Sequence, residues 1–136
     1  MPSSTTSSER ARVLLVDDND AILARASAVL ASGCLVVGTA KNGRAALDAA
    51  GTLSPDVIVL DISLPGMSGL EVAASLRRAG SNAAVVFLTV HDDEEFIAAA
   101  KEVGGIGYVV KPRLVSDLML AVREARDGRS FVSTIR

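Results

Sequence analysis

The sequence predicts an α/β fold of five strand–helix units: a parallel sheet with helices on both faces. Three observations predict it: five short runs of β-branched and aliphatic residues, helical periodicity between them, and short joints. The runs are almost continuously apolar, as strands covered on two sides must be.

The first strand is expected at residues 12–16, and Asn19 or Asp18 then caps a helix whose Ile22, Leu23, Ala26, Val29 and Leu30 form one apolar stripe. Gly33 is read as its stop. Residues 34–39 make a second strand, and Asn42-Gly43 opens a second helix that runs to Gly51. Pro55 marks the entry to a third strand at 56–60. Ser68-Gly69-Leu70-Glu71 has the spacing of a capping box, so a third helix starts there, with Leu70, Ala73 and Leu76 inward. A fourth strand at 84–88 precedes Asp92-Asp93-Glu94-Glu95, four acids suited to the positive end of a helix dipole. Gly104-Gly105 ends that helix, a fifth strand covers 106–110, and a fifth helix begins near Ser116 with Leu118, Ala121, Val122 and Ala125 inward and Gly128 at its end.

A chain of 136 residues fits one domain with a real core. Residues 1–10, rich in Ser and Thr, read as a disordered tail, residues 11–128 as the domain, and residues 129–136 as a tail or linker stub. No apolar run approaches the length of a membrane helix, and the opening residues lack a signal-peptide core, so a cytoplasmic protein with no membrane partner is expected. The single cysteine, Cys34, suits a reducing compartment and reads as a buried small hydrophobe. Net charge is −2 and the arginines are scattered, which argues against nucleic-acid binding by this chain alone.

The polar residues that end the strands carry the chemistry. Asp17-Asp18, Asp61, Thr89 and Lys111 follow the first, third, fourth and fifth runs. In a parallel sheet these carboxyl ends share one edge, where open α/β sheets bind ligands. Three carboxylates about 5 Å apart would repel by roughly 3 kcal/mol per pair at an effective dielectric near 20. A hard divalent cation such as Mg²⁺ (or Mn²⁺) would offset that, and all-oxygen donors suit it. With the cation in place Asp61 is a credible nucleophile toward phosphorus, while Thr89 and Lys111 could each hold a phosphoryl oxygen.

At these residues the sequence resembles the receiver domain of bacterial response regulators, the CheY-like family, over about residues 10 to 130. The matching pieces are Val16-Asp17-Asp18, Asp56 through Asp61, Leu64-Pro65-Gly66-Met67-Ser68-Gly69, Leu88-Thr89 and Lys111-Pro112. The resemblance implies a single (βα)5 flavodoxin-like domain with a five-stranded sheet in the order 2-1-3-4-5. It implies that Asp61 accepts phosphate from the phosphohistidine of a histidine kinase or phosphotransfer protein. It further implies that Asp18, Asp61 and the backbone carbonyl of Ser63 bind Mg²⁺, with Asp17 acting through water on the metal. Thr89 and Lys111 would contact the phosphoryl group, Tyr108 would be the switch aromatic, and Lys111–Pro112 a cis peptide. The protein would then be a signalling switch and not an enzyme, altering the face made by its fourth helix, fifth strand and fifth helix, through which a homodimer could also form. Residues 35–43 and 127–133 look most like the NarL/FixJ subfamily, so a piece of a longer DNA-binding regulator is the alternative.

Other readings fit less well. A haloacid-dehalogenase-like phosphatase needs an acid two residues after its nucleophile, where this chain has Ser63. A flavodoxin-like cofactor carrier would meet repulsion from Asp17-Asp18-Asn19-Asp20. His91, the only histidine, reads as a solvent-facing loop residue.

Overall fold

The computed structural model describes residues 10–133, so the expected tail at residues 1–10 lies, except for Arg10, outside the described residues. In chain order the elements are β1 (Ala11–Val16), α1 (Asp20–Leu30), β2 (Cys34–Ala40), α2 (Gly43–Leu53), β3 (Val57–Leu60), α3 (Gly69–Arg78), β4 (Ala84–Thr89), α4 (Glu94–Glu102), β5 (Gly105–Val110), a single 3₁₀ turn (Lys111–Arg113), α5 (Leu114–Arg126) and β6 (Phe131–Val132).

All strands are parallel, and the sheet has six of them in the order β2-β1-β3-β4-β5-β6. The expected five strands and their order are present. The expectation of a five-stranded sheet is corrected by β6, which lies within residues 129–136 and pairs Phe131 with Gly107 and Val132 with Tyr108. Two residues are too few to display the periodicity by which strands are recognised in a sequence.

Alternation along the strands divides the core in two. Val13 and Leu15 of β1 face α1 and α5 with Leu23, Ala26, Leu30, Leu118, Ala121, Val122 and Ala125. Leu14 and Val16 face the other way, toward Ala46 of α2, Val72, Ala73 and Leu76 of α3 and Ala100 of α4. The central strand β3 is wholly buried, which fixes the depth at which Asp61 emerges from it.

Helix caps settle two expectations and move two others. Asn19, not Asp18, caps α1, its Oδ1 accepting from Ile22 N–H at 3.1 Å, which leaves the Asp18 carboxylate uncommitted. The capping box forms as read, with Ser68 Oγ accepting from Glu71 N–H and Glu71 Oε1 from Ser68 N–H. Helix α2 continues past Gly51 to Leu53, ending with Ser54 in the left-handed region at φ 48°. Helix α5 starts at Leu114, before Ser116, because the Lys111–Arg113 turn leads straight into it. Among the described residues no helix is long and apolar enough to cross a membrane.

Candidate phosphoacceptor and cation site

The carboxyl edge gathers the predicted side chains in register. Val16 of β1 is the partner of Leu60 of β3, so Asp17 and Asp61 leave neighbouring strands at one level, tied by a hydrogen bond from Asp61 N–H to the Val16 carbonyl at 3.0 Å. Oxygens of Asp17, Asp18 and Asp61 all lie within 4.8 Å of one another. Asp17 and Asp61 are buried and Asp18 is exposed, so the cluster has a solid floor and one open side.

Lys111 reaches in from the end of β5. Its Nζ donates to Asp61 Oδ2 at 3.0 Å and lies 2.9 Å from Asp17 Oδ2. The second contact is an ion pair without hydrogen-bond geometry, so the buried Asp17 Oδ2 has no hydrogen-bond partner. Burial pushes the Asp17 carboxyl up from its ordinary value, against the pull of the Asn19 N–H and Lys111. Burial alone would lower the Lys111 ammonium, but its contacts with Asp17 and Asp61 outweigh that and hold it raised, so it stays charged. One ammonium faces three carboxylates. The buried oxygen without a hydrogen bond, the surplus of negative charge and the all-oxygen donor set fit a hard divalent cation, which would be held by Asp17, Asp18 and Asp61.

Around this floor stand the remaining predicted residues. Thr89 is fully buried at the end of β4, and its Oγ1 accepts from His91 N–H at 3.4 Å. Ser63 N–H donates to Asp61 Oδ1 at 3.3 Å, which orients the Asp61 carboxylate. Tyr108 is buried, with its hydroxyl donating to the His91 carbonyl at 2.8 Å. Burial raises its phenol to about 12, so it remains a donor throughout the neutral range. The ring therefore lies inward, packed 6.4 Å from Phe87.

Two expectations are corrected. No peptide bond among the described residues is cis, and Lys111–Pro112 is trans. The trans form is the lower-energy isomer, and it suits the 3₁₀ turn, in which Leu114 N–H bonds the Lys111 carbonyl. His91 is half-buried instead of solvent-facing: Nε2 lies 2.8 Å from Ser63 Oγ and the ring stacks on Phe96 at 4.0 Å. It thus links the loop after β3 to the first turn of α4.

One supporting residue has a role that its motif did not reveal. A Cβ on Gly69 would overlap the carbonyl oxygen of Asp61, and Gly69 N–H donates to the Ile62 carbonyl at 2.7 Å. Only glycine lets α3 begin so close behind the end of β3. The sequence signal was Gly66-Met67-Ser68-Gly69, but the contact it serves spans a loop.

Comparison with known proteins agrees with this geometry. Residues 13–123 match the family model for the response regulator receiver domain. The nitrate/nitrite response regulator protein NarL of Escherichia coli K12 is 34% identical over 127 residues, covering 92% of this chain and 59% of that protein. The positive alginate biosynthesis regulatory protein of Pseudomonas aeruginosa is 40% identical over 116 residues, 83% of this chain and 46% of that one. The chain thus spans roughly half the length of these relatives. Among solved structures, the signal receiver domain of NarL from Mycobacterium tuberculosis superposes with a TM-score of 0.85 at 31% identity, covering 89% of this chain and 99% of that one. A Borrelia burgdorferi CheX–CheY complex with BeF₃⁻ and Mg²⁺ matches with a TM-score of 0.72 at 25% identity, covering 75% of this chain and 78% of that one. With its strand order, its acidic edge and its ordered Thr89 and Lys111, this chain belongs to the response regulator receiver domain family, the signalling switches of two-component systems, and its relatives include NarL-type regulators.

Proposed function

We propose that Asp61 is the phosphoacceptor of this receiver, taking a phosphoryl group from the phosphohistidine of a histidine kinase or phosphotransfer protein. The observation that carries the reading is the buried, lysine-paired Asp61 carboxylate beside an Asp17 oxygen with no hydrogen-bond partner. Asp17, Asp18, Asp61 and the Ser63 carbonyl would hold a Mg²⁺ or Mn²⁺ ion, which would supply the positive charge that lets two anions approach.

In the transfer, one Asp61 oxygen attacks phosphorus as the bond from phosphorus to the donor's imidazole nitrogen breaks. The electron pair leaves with that nitrogen, and the neutral histidine is regenerated. Lys111 Nζ, already bonded to Asp61 Oδ2, moves onto a phosphoryl oxygen, and the Thr89 hydroxyl donates to another. Ser63 N–H keeps the acceptor oriented. Drawing Thr89 inward favours the buried position of Tyr108 and biases the α4-β5-α5 face, where a partner or a second copy docks. The work takes place in the cytoplasm, with residues 11–128 and the added strand β6 as the receiver unit. The resemblance to NarL-type relatives favours a second reading, in which the chain is part of a longer DNA-binding regulator.

Incubation with acetyl phosphate and Mg²⁺ followed by intact-mass measurement tests the acceptor. Wild type gains one phosphoryl group and Asp61→Asn gains none; equal labelling of both, or of neither, overturns the reading.

A further inference from the structure

Beyond the phosphoacceptor site the described residues hold a second buried polar cluster. Asp117 on α5 accepts from Arg113 Nε at 2.8 Å and Nη2 at 3.3 Å, from Ser116 Oγ at 3.1 Å and from Ser133 Oγ at 2.8 Å. The Ser133 hydroxyl also accepts from Val110 N–H at 3.3 Å, and Ser133 N–H donates to the Tyr108 carbonyl at 2.8 Å. One buried serine therefore closes both a donor and an acceptor on the outer edge of β5, and its hydroxyl locks to α5. Open strand edges are otherwise free to pair with other chains.

Two of the residues that hold Ser133, Tyr108 and Val110, connect to the acceptor site through bonds or the chain itself. Tyr108 binds Ser133 through its carbonyl and His91 through its hydroxyl, and His91 N–H binds Thr89. Val110 directly precedes Lys111, which holds Asp61, and Arg113 closes the same turn. Strand β6 itself has only two residues, and Val132 is 41% exposed. Such a short, half-wet strand belongs to the low-stability end of local opening.

We propose that β6 and Ser133 form a detachable clasp on β5 whose closure is coupled to phosphorylation of Asp61. This rests on the acceptor reading above. The closed clasp coexists here with an inward Tyr108, so a phosphoryl group that holds Thr89 and Lys111 stabilises the arrangement of β5 to which Ser133 bonds. Because β6 runs parallel to β5, the chain reaches Ser133 heading toward the phosphoacceptor edge.

Hydrogen exchange at the Val110 and Ser133 amides tests the coupling, with Mg²⁺ and excess acetyl phosphate present or absent and intact mass read on the same samples. Phosphorylation is expected to slow both amides by about fivefold or more in wild type, the lower end of ordinary coupling between sites. Asp61→Asn shows no slowing. Ser133→Ala still takes up one phosphoryl group but loses the slowing at Val110, and Ser133→Thr, which keeps the hydroxyl, restores it. A phosphoryl adduct with unchanged or faster exchange overturns the clasp alone. Absence of the adduct removes the acceptor reading and the coupling together.

Discussion

Asp17 and Asp117 are both buried, both belong to clusters that include a basic side chain, and both lie close to the turn that carries Lys111. Around Asp117 four side-chain hydrogen bonds converge, and the Arg113 guanidinium beside it holds its carboxyl below the ordinary value. Around Asp17 two further carboxylates crowd in, Oδ2 has no hydrogen bond, and burial pushes the carboxyl up. The satisfied cluster stabilises the fold, whereas the unsatisfied one has the donor set that the proposed cation and phosphoryl group would use. A buried charge is thus informative about function when its partners fall short of it.

Removing the charge should have opposite effects in the two places. Asp117→Ala strands Arg113, Ser116 and Ser133 and is expected to cost about 2–3 kcal/mol in urea unfolding at pH 7. A loss under about 0.5 kcal/mol would erase the contrast. Asp17→Asn is expected to stabilise the metal-free protein by about 1 kcal/mol, since it relieves repulsion from Asp61 while the Lys111–Asp61 pair survives.

The pH dependence sharpens the same comparison. A depressed carboxyl such as Asp117 contributes stability that is present above the unfolded-state value and lost as pH falls through its lower folded value. The stability gap between wild type and Asp117→Asn should therefore be flat near neutrality and shrink below about pH 4. For Asp17 the sign reverses, because a raised carboxyl binds its proton more tightly when folded. Its contribution is fully present below the unfolded value and declines as pH rises through the raised one, so the advantage of Asp17→Asn grows over that range. The smallest effect is expected at His91. His91→Ala removes a partly exposed bond to Ser63 and a ring contact with Phe96, worth about 0.5–1 kcal/mol of melting stability.

The edge that holds Asp17, Asp61, Thr89 and Lys111 was legible because each residue ends an apolar run, and parallel strands align their ends without further information. The capping box at Ser68 was legible because a cap is a local contact. What escaped depends on distance along the chain or on context. Ser133 acquires its role from Asp117 and Val110, so nothing within residues 129–136 marks it. Ser63 and His91 meet across 28 positions, and Gly51, a credible stop by itself, is carried through by α2 to Leu53. The isomer of Lys111–Pro112 follows from the turn into α5, which propensity does not specify.

Thermal unfolding of wild type and Asp17→Asn with and without millimolar Mg²⁺ tests most directly whether the acidic edge is built for a cation. Wild type should melt several degrees higher with Mg²⁺, while Asp17→Asn should start higher without the ion and gain little from it. A wild-type midpoint indifferent to Mg²⁺, or a variant that gains as much as wild type, would contradict the account.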